Sequence, residues 1–281
     1  MIRNLLVAGG DLRMEQMARL LVQDGYRVER IVNGHDSGWQ EKAAFTDALL
    51  LPYPHSLKDG KIPGWEHGGE VLEELLSRLN KDTLVMAGSG IDNVLEECRL
   101  NGQQFRVTHY ADDQIFAERN AEISAEAAVS EVMLRSNRML DEQNILVLGY
   151  GLFARAILWR LRVLGARVWV AARREKIQKQ AIRDGAQAIG FDRIEQLAPQ
   201  IHVVMNTVPS VVMGEKELSL FSDDTLFLEL ASPPYGIDLS AAVALEKNVA
   251  VLPGLPSRYA SLSAAKALRE TVQRRIEEAS I

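Results

Sequence analysis

Two glycines and an alanine open the reading. Gly149, Gly151 and Ala154 form Gly-x-Gly-x-x-Ala at the end of the apolar run Asn144-Ile145-Leu146-Val147-Leu148. In a strand–turn–helix setting Gly149 permits a tight turn, Gly151 admits a pyrophosphate close to the backbone, and Ala154 lets helix and strand pack closely. The N–H groups of Leu152, Phe153 and Ala154 then point at the phosphates from the positive end of the helix dipole. A structural turn in some other α/β domain is the competing reading. Ala156, Ile157, Leu161 and Leu164 supply the helical apolar stripe, and Gly165 the stop. The next apolar run ends in Ala172-Arg173-Arg174, where an acid would hold a ribose 2′-hydroxyl. Guanidinium groups at Arg173 and Arg174 suit a 2′-phosphate, so NADP is expected over NAD.

Ligands of doubly wound sheets sit at the carboxyl ends of the strands. Five further loops there hold candidates. Asn206, Thr207, Val208 and Pro209 form a polar, Pro-stiffened turn that can contact ribose or nicotinamide. Ala231 and Ser232, before Pro233-Pro234, suit close approach of a flat ring. Gly254 and Pro256, in Pro-Gly-Leu-Pro after the last strand, are expected at the mouth of the cleft as substrate-binding candidates, with a hinge as the alternative. Gly10, Asp11 and Arg13 pair a helix start with a guanidinium and can hold a carboxylate. Alternatively, Asp11 caps the helix and Arg13 is solvated. Ser89, Gly90 and Asn93 offer a second carboxylate site, or a turn plus cap. The histidines are His35, His55, His67, His109 and His202. His55, His67 and His109 can reach a cleft, His202 reads as structural, and none has metal-ligand spacing.

The elements that must position these residues alternate strand and helix throughout. Strand-like runs stand at residues 4–8, 27–32, 48–51, 84–87 and 105–108, then at 144–148, 167–172, 186–189, 202–206, 226–230 and 249–252. Helical stripes include Met14, Met17, Ala18 and Leu21, and Val71, Leu72, Leu75, Leu76 and Leu79. Residues 52–69 read as a long loop. The pattern predicts two doubly wound parallel-sheet α/β domains with an interdomain cleft. One is a flavodoxin- or Rossmann-like substrate domain over residues 1–118, and the other a Rossmann-type NAD(P) domain over 119–256. A helix over 119–140, with Ile123, Ala127, Ala128, Val132, Met133 and Met139 broadly on one side, bridges them. The last helix, within 257–281, is expected to pack back on the first domain.

Composition narrows the class. Of 281 residues, 47% are hydrophobic and 25% charged, with net charge -6, an ordinary soluble balance. Basic residues are scattered, which argues against a nucleic-acid platform, and no run approaches a membrane span. The one cysteine, Cys98, excludes an internal disulfide; it fits a reducing cytoplasm and reads as core packing.

Taken together, Gly9-Gly10-Asp11-x-Arg13, Ser89-Gly90-Ile91-x-Asn93, Gly149-x-Gly151, Ala172-Arg173, Asn206-Thr207-Val208-Pro209-Ser210, Leu230-Ala231-Ser232-x-Pro234-x-Gly236-x-Asp238 and Pro253-Gly254-Leu255-Pro256 resemble the dipicolinate synthase A-subunit family, in order and spacing, over nearly the whole chain. The chain departs from that family's pattern at Ile123-Ser124-Ala125-Glu126-Ala127, which keeps only Glu126 of Pro-Thr-x-Glu-Gly, at Ser257, and near Ser261-Leu262-Ser263-Ala264-Ala265. The resemblance implies an NAD(P)-linked oxidoreductase of sporulating bacteria. Such an enzyme makes dipicolinate from dihydrodipicolinate, or its hydroxy-tetrahydro precursor, on a branch of lysine biosynthesis. It implies the B-subunit of dipicolinate synthase as partner, and a cytoplasmic homo-oligomer is expected. The dicarboxylate then falls to the Gly10–Arg13 and Ser89–Asn93 loops, and Glu126, Asn120 and His55 are the candidates for proton handling. The alternatives are a shikimate-type NADP dehydrogenase and a non-catalytic NADP-binding subunit.

Overall fold

The computed structural model describes residues 2–32, 38–59, 61–65 and 69–280. His35 and His67 lie outside the described residues. The chain forms two compact units, residues 1–120 with 260–281, and residues 121–259.

The first unit alternates β1 (Asn4–Ala8), α1 (Leu12–Gln23), β2 (Arg27–Ile31), α2 (Trp39–Ala44), β3 (Ala48–Leu50), α3 (Gly69–Ser77), β4 (Leu84–Ala87), α4 (Asp92–Leu100), β5 (Arg106–His109) and the start of α5 (Gln114–Arg135). Every strand pair is parallel, in the order β2-β1-β3-β4-β5. This is the doubly wound order whose switch point falls between β1 and β3. Side chains alternate across a strand. Leu6, Ala8, Leu49, Leu51, Val85 and Ala87 therefore share one core with Leu72, Leu75 and Leu76 of α3 and Val94 and Cys98 of α4. Cys98 is thus a packing residue, and burial pushes its thiol pKa up. Helix α2 is not apparent in the sequence pattern; at six residues it is too short for a periodic stripe.

Helix α5 begins five residues earlier than the apolar stripe suggests and ends five earlier. Asp113 sets its start, since Oδ1 accepts from Phe116 N at 2.9 Å. Met133 and Met139, expected on the packed side, are exposed, and Met139 lies beyond the helix. Ile123, Ala127, Ala128 and Val132 of that side are buried, joined by Ala125.

The second unit runs β6 (Asn144–Leu148), α6 (Leu152–Val163), β7 (Arg167–Ala171), α7 (Glu175–Arg183), β8 (Gln187–Ile189), β9 (Val203–Asn206), α8 (Glu215–Leu218), β10 (Leu226–Glu229), α9 (Leu239–Ala244), β11 (Asn248–Val251) and α10 (Leu255–Tyr259). Its parallel sheet has the order β11-β10-β9-β6-β7-β8. Counted from β6 that is 3-2-1-4-5-6 read from the other edge, the order of dinucleotide-binding sheets. Ile145 and Val147 face one core layer, Leu146 and Leu148 the other. Gly165, at φ +86°, ends α6 as its position suggests, while Leu164 is exposed. His202 is structural: its Nδ1 accepts from Asn144 N at 3.0 Å, and burial, then Arg138 and Arg167, lowers its pKa.

Helix α11 (Ser261–Ala279) returns to the first unit, where it packs against α1. Leu268, Val272 and Ile276 are its buried stripe, and Leu262, expected on that face, is exposed. Among the described residues no helix is long and apolar enough to cross a membrane.

Candidate functional site

The switch point of the second sheet lies between β6 and β9. Gly149 turns there at φ +89°, and its N–H donates to Ala171 O at 2.9 Å. A Cβ at this position would meet Val208 Cγ2 and Thr207 Oγ1, so only glycine fits between the two loops. Gly151 is the N-cap of α6, offers no side-chain cap, and faces open space where a Cβ would stand. The first hydrogen bond back into α6 runs from Arg155 N to Gly151 O, at 3.0 Å. The N–H groups of Leu152, Phe153 and Ala154 precede it and have no intrahelical acceptor. Ala154 is fully buried under them. Tyr150 ties the loop down, its hydroxyl donating to Asp184 Oδ2 at 2.6 Å. Burial, then Asp184, pushes that hydroxyl's pKa up. An open, side-chain-free helix start of this kind fits a pyrophosphate. At the end of β7, Ala172 is buried, while Arg173 and Arg174 are exposed. Neither guanidinium has a partner among the described residues.

The loops after β9 and β10 differ from expectation. Asn206 does not present its side chain to a ligand, because it is fully buried. Its Nδ2 donates to Glu229 Oε1 and Oε2 at 2.7 and 2.9 Å and to Val208 O at 3.0 Å, and its Oδ1 accepts from Val208 N. Thr207 Oγ1 is also engaged, donating to Leu148 O at 2.7 Å. Both side chains hold the loop in shape. Glu229, which no sequence motif singles out, is the centre of this region. Fully buried, it also accepts from Ala231 N, Gly236 N and Ile237 N at 2.9–3.0 Å. Pro209 and Ser232 are exposed, and Ala231 is half-buried. Gly254 is exposed at φ +67°, whereas Pro256 is buried in α10 and offers no surface for a substrate.

In the first unit, the Gly10–Arg13 loop is built around its own carboxylate. Gly10 N donates to Pro63 O, and Asp11 caps α1 by accepting from Arg13 N at 2.9 Å. Arg13 is neither solvated nor wholly available. It is buried, pairs with Asp11 through Nε and Nη2, donates to Tyr53 O at 2.9 Å, and lies over the Tyr53 ring. Its Nη1 makes no hydrogen bond to a described residue. Tyr53 in turn packs edge-on to Tyr110 and Phe116, so the guanidinium is locked in place.

Close by in the fold, the loops after β3 and β4 are joined. Ser89 N donates to Pro54 O at 2.9 Å and Ser56 N to Ser89 O at 2.9 Å. His55 Nδ1 stands 2.7 Å from Ser89 Oγ, which itself lies 3.3 Å from Pro54 O. If the Ser89 hydroxyl donates to that carbonyl, Nδ1 carries the ring proton and Nε2 keeps a lone pair. Gly90 adopts φ +96° beside Leu57 O, and the exposed Asn93 lies in the first turn of α4, which has no side-chain cap. His109 Nδ1 donates to Gly88 O at 3.2 Å, with Nε2 3.8 Å from Asp92 Oδ1.

Of the three proton-handling candidates, Asn120 and Glu126 lie on α5. Glu126 is exposed on α5; Asn120 is half-buried and already has a partner. Six residues apart, they are separated by roughly 9 Å along the helix and about 120° around it. His55 stands beside Ser89, another selected residue. Among the described residues, no three His, Cys, Asp or Glu side chains are placed to hold a metal ion.

Comparison with known proteins agrees with this fold. No family model matches the chain. It is similar to the A-subunit of dipicolinate synthase from Bacillus subtilis (strain 168), at 25% identity over 98% of this chain and 96% of that protein. The crystal structure of the dipicolinate synthase A-subunit from Bacillus halodurans superposes with a TM-score of 0.86 at 21% identity, over 98% and 97% of the two chains. D-2-hydroxyisocaproate dehydrogenase shares the fold more distantly, with a TM-score of 0.62 at 14% identity over 98% and 96%. The resemblance to this dipicolinate synthase component thus spans the whole chain, and the α/β fold is one shared with dehydrogenases.

Proposed function

We propose that the chain is an NADP-linked oxidoreductase of the dipicolinate synthase A-subunit type, acting on a partly reduced pyridine dicarboxylate. The observation that carries this reading is the full-length similarity to that component of dipicolinate synthase. The open start of α6 and the exposed Arg173 and Arg174 support the cofactor. A dinucleotide held at this loop would supply a hydride acceptor, and aromatisation of the ring would supply driving force. The protein's own work is then to bind, orient and remove a proton. In this proposal Nη1 of the locked Arg13 holds one carboxylate, and Ser89 with the uncapped first turn of α4 holds the other. His55, fixed through Nδ1 by Ser89, accepts the proton at Nε2. We favour it over Glu126 and Asn120. A partner protein corresponding to the B-subunit, a cytoplasmic site and a role in sporulation belong to the same proposal, supported by the similarity alone.

The test is direct. Purified chain, NADP⁺ and freshly generated dihydrodipicolinate, or its hydroxy-tetrahydro precursor, are mixed and the NADPH absorbance band is followed. A rise with the chain alone supports the proposal. A rise only after a partner protein is added overturns the stand-alone enzyme, and turnover of shikimate in its place overturns the substrate.

A further inference from the structure

We propose that Glu229 is the positioning residue for the nicotinamide half of the dinucleotide, an inference that rests on the NADP reading above. A carboxylate with no cation partner among the described residues is an unusual group to bury. Here every group facing it is a donor: the two contacts from Asn206 Nδ2, and the backbone N–H groups of Ala231, Gly236 and Ile237. The acceptor-only carboxylate satisfies all of them; a neutral amide cannot.

The position explains why such a group is kept. Glu229 ends β10 and is in register with Asn206, which ends β9. Asn206 passes the constraint on by clamping Val208 through both its N–H and its carbonyl. Val208 and Thr207 lie against Gly149, so the knot reaches the turn that opens the phosphate loop. On the other side, Glu229 fixes both ends of the Ala231–Ile237 loop. Gly236 completes the knot, because a Cβ there would meet Asn206 Nδ2 and Val208 O. The loops so fixed are those past the switch point, on the nicotinamide side of a sheet of this order. The adenosine side, with Arg173 and Arg174 just past β7, lies across β6 from β9.

Calorimetric titration of the full chain with NADP⁺ and with adenosine 2′,5′-bisphosphate, which lacks the nicotinamide half, separates the roles. For Glu229→Gln the expected result is NADP⁺ affinity about tenfold weaker, falling toward that of the bisphosphate, while bisphosphate affinity stays within roughly twofold of the parent. Gly236→Ala attacks the same knot from the loop side and should show the same split. Equal losses for both ligands would make Glu229 a general structural residue, and unchanged NADP⁺ affinity in folded Glu229→Gln would overturn the proposal. If neither variant folds, the knot is a folding element and the positioning role fails. A parent chain that binds neither ligand overturns the NADP reading, and this inference with it. That outcome is distinct from a parent that binds both ligands while Glu229→Gln changes neither.

Discussion

Arg173 and Arg174 follow β7 with guanidinium groups that no described residue engages, and the proposed NADP preference is a property of these two side chains. Charge-assisted hydrogen bonds contribute about 1.5–3 kcal/mol each. Replacing both by Ala should therefore weaken NADP⁺ by at least about tenfold and leave NAD⁺ within roughly twofold, as read by titration with each. Equal losses would remove the 2′-phosphate argument. His55 is tested at the same scale. His55→Gln keeps a polar side chain but no proton-accepting imidazole, so kcat should fall roughly a hundredfold or more with KM little changed. A rise in KM alone would point to a substrate contact instead. Gly149, Gly151, Arg173 and Arg174 are legible in the sequence because their chemistry depends on local spacing. Arg13 is legible only as a type. Its burial against Tyr53, forty positions away, follows from the pairing of β1 with β3.

Elements are set by their ends as much as by their stripes. Helix α9 starts at Asp238, whose Oδ1 accepts from Ser240 N and Ala241 N, both at 3.0 Å. Asp238→Ala should cost about 1 kcal/mol in denaturant unfolding and leave NADP⁺ binding within roughly twofold. A much larger loss of binding would mean that the loop before the cap contacts the ligand. Helix α5 shows how stripes mislead. Its composition is rich in Ala and its charges are spread, so apolar periodicity is weak and the sequence places the helix five residues too late. The capping bond from Phe116 N to Asp113 decides the true start. Glu229 escapes the sequence for a related reason. An acid after Leu226-Phe227-Leu228 looks like the solvated end of a strand, and its donors come from residues that only the loop fold brings together.

At the scale of the molecule, the first unit is closed by α11, which comes from the far end of the chain. Arg274 Nε donates to Asp113 Oδ2 at 2.8 Å, and Arg269 pairs with Asp24 at the end of α1. Burial alone would raise the Asp113 pKa. The Phe116 N–H and the Arg274 guanidinium outweigh it and hold the carboxyl below its ordinary value of 3.8. A depressed carboxyl contributes stability that is full above the unfolded value and is lost as pH falls through the folded one. The stability gap between the parent and Asp113→Asn should therefore be constant near about pH 7 and shrink below about pH 4. A gap that stays constant to about pH 3 would show that the pair contributes nothing through its charge. What the sequence by itself determined is local: strand–helix alternation, the Gly-x-Gly-x-x-Ala turn, the arginines at its second strand, and the helix stops, all set by a residue's near neighbours. Only the tertiary structure decided that Asp11 and Tyr53 hold Arg13, that Glu229 binds the loops of two strands together, and that α11 joins the first unit. Those outcomes depend on which distant segments the parallel sheets place side by side, and a buried charge or guanidinium takes whatever donors and acceptors that placement supplies.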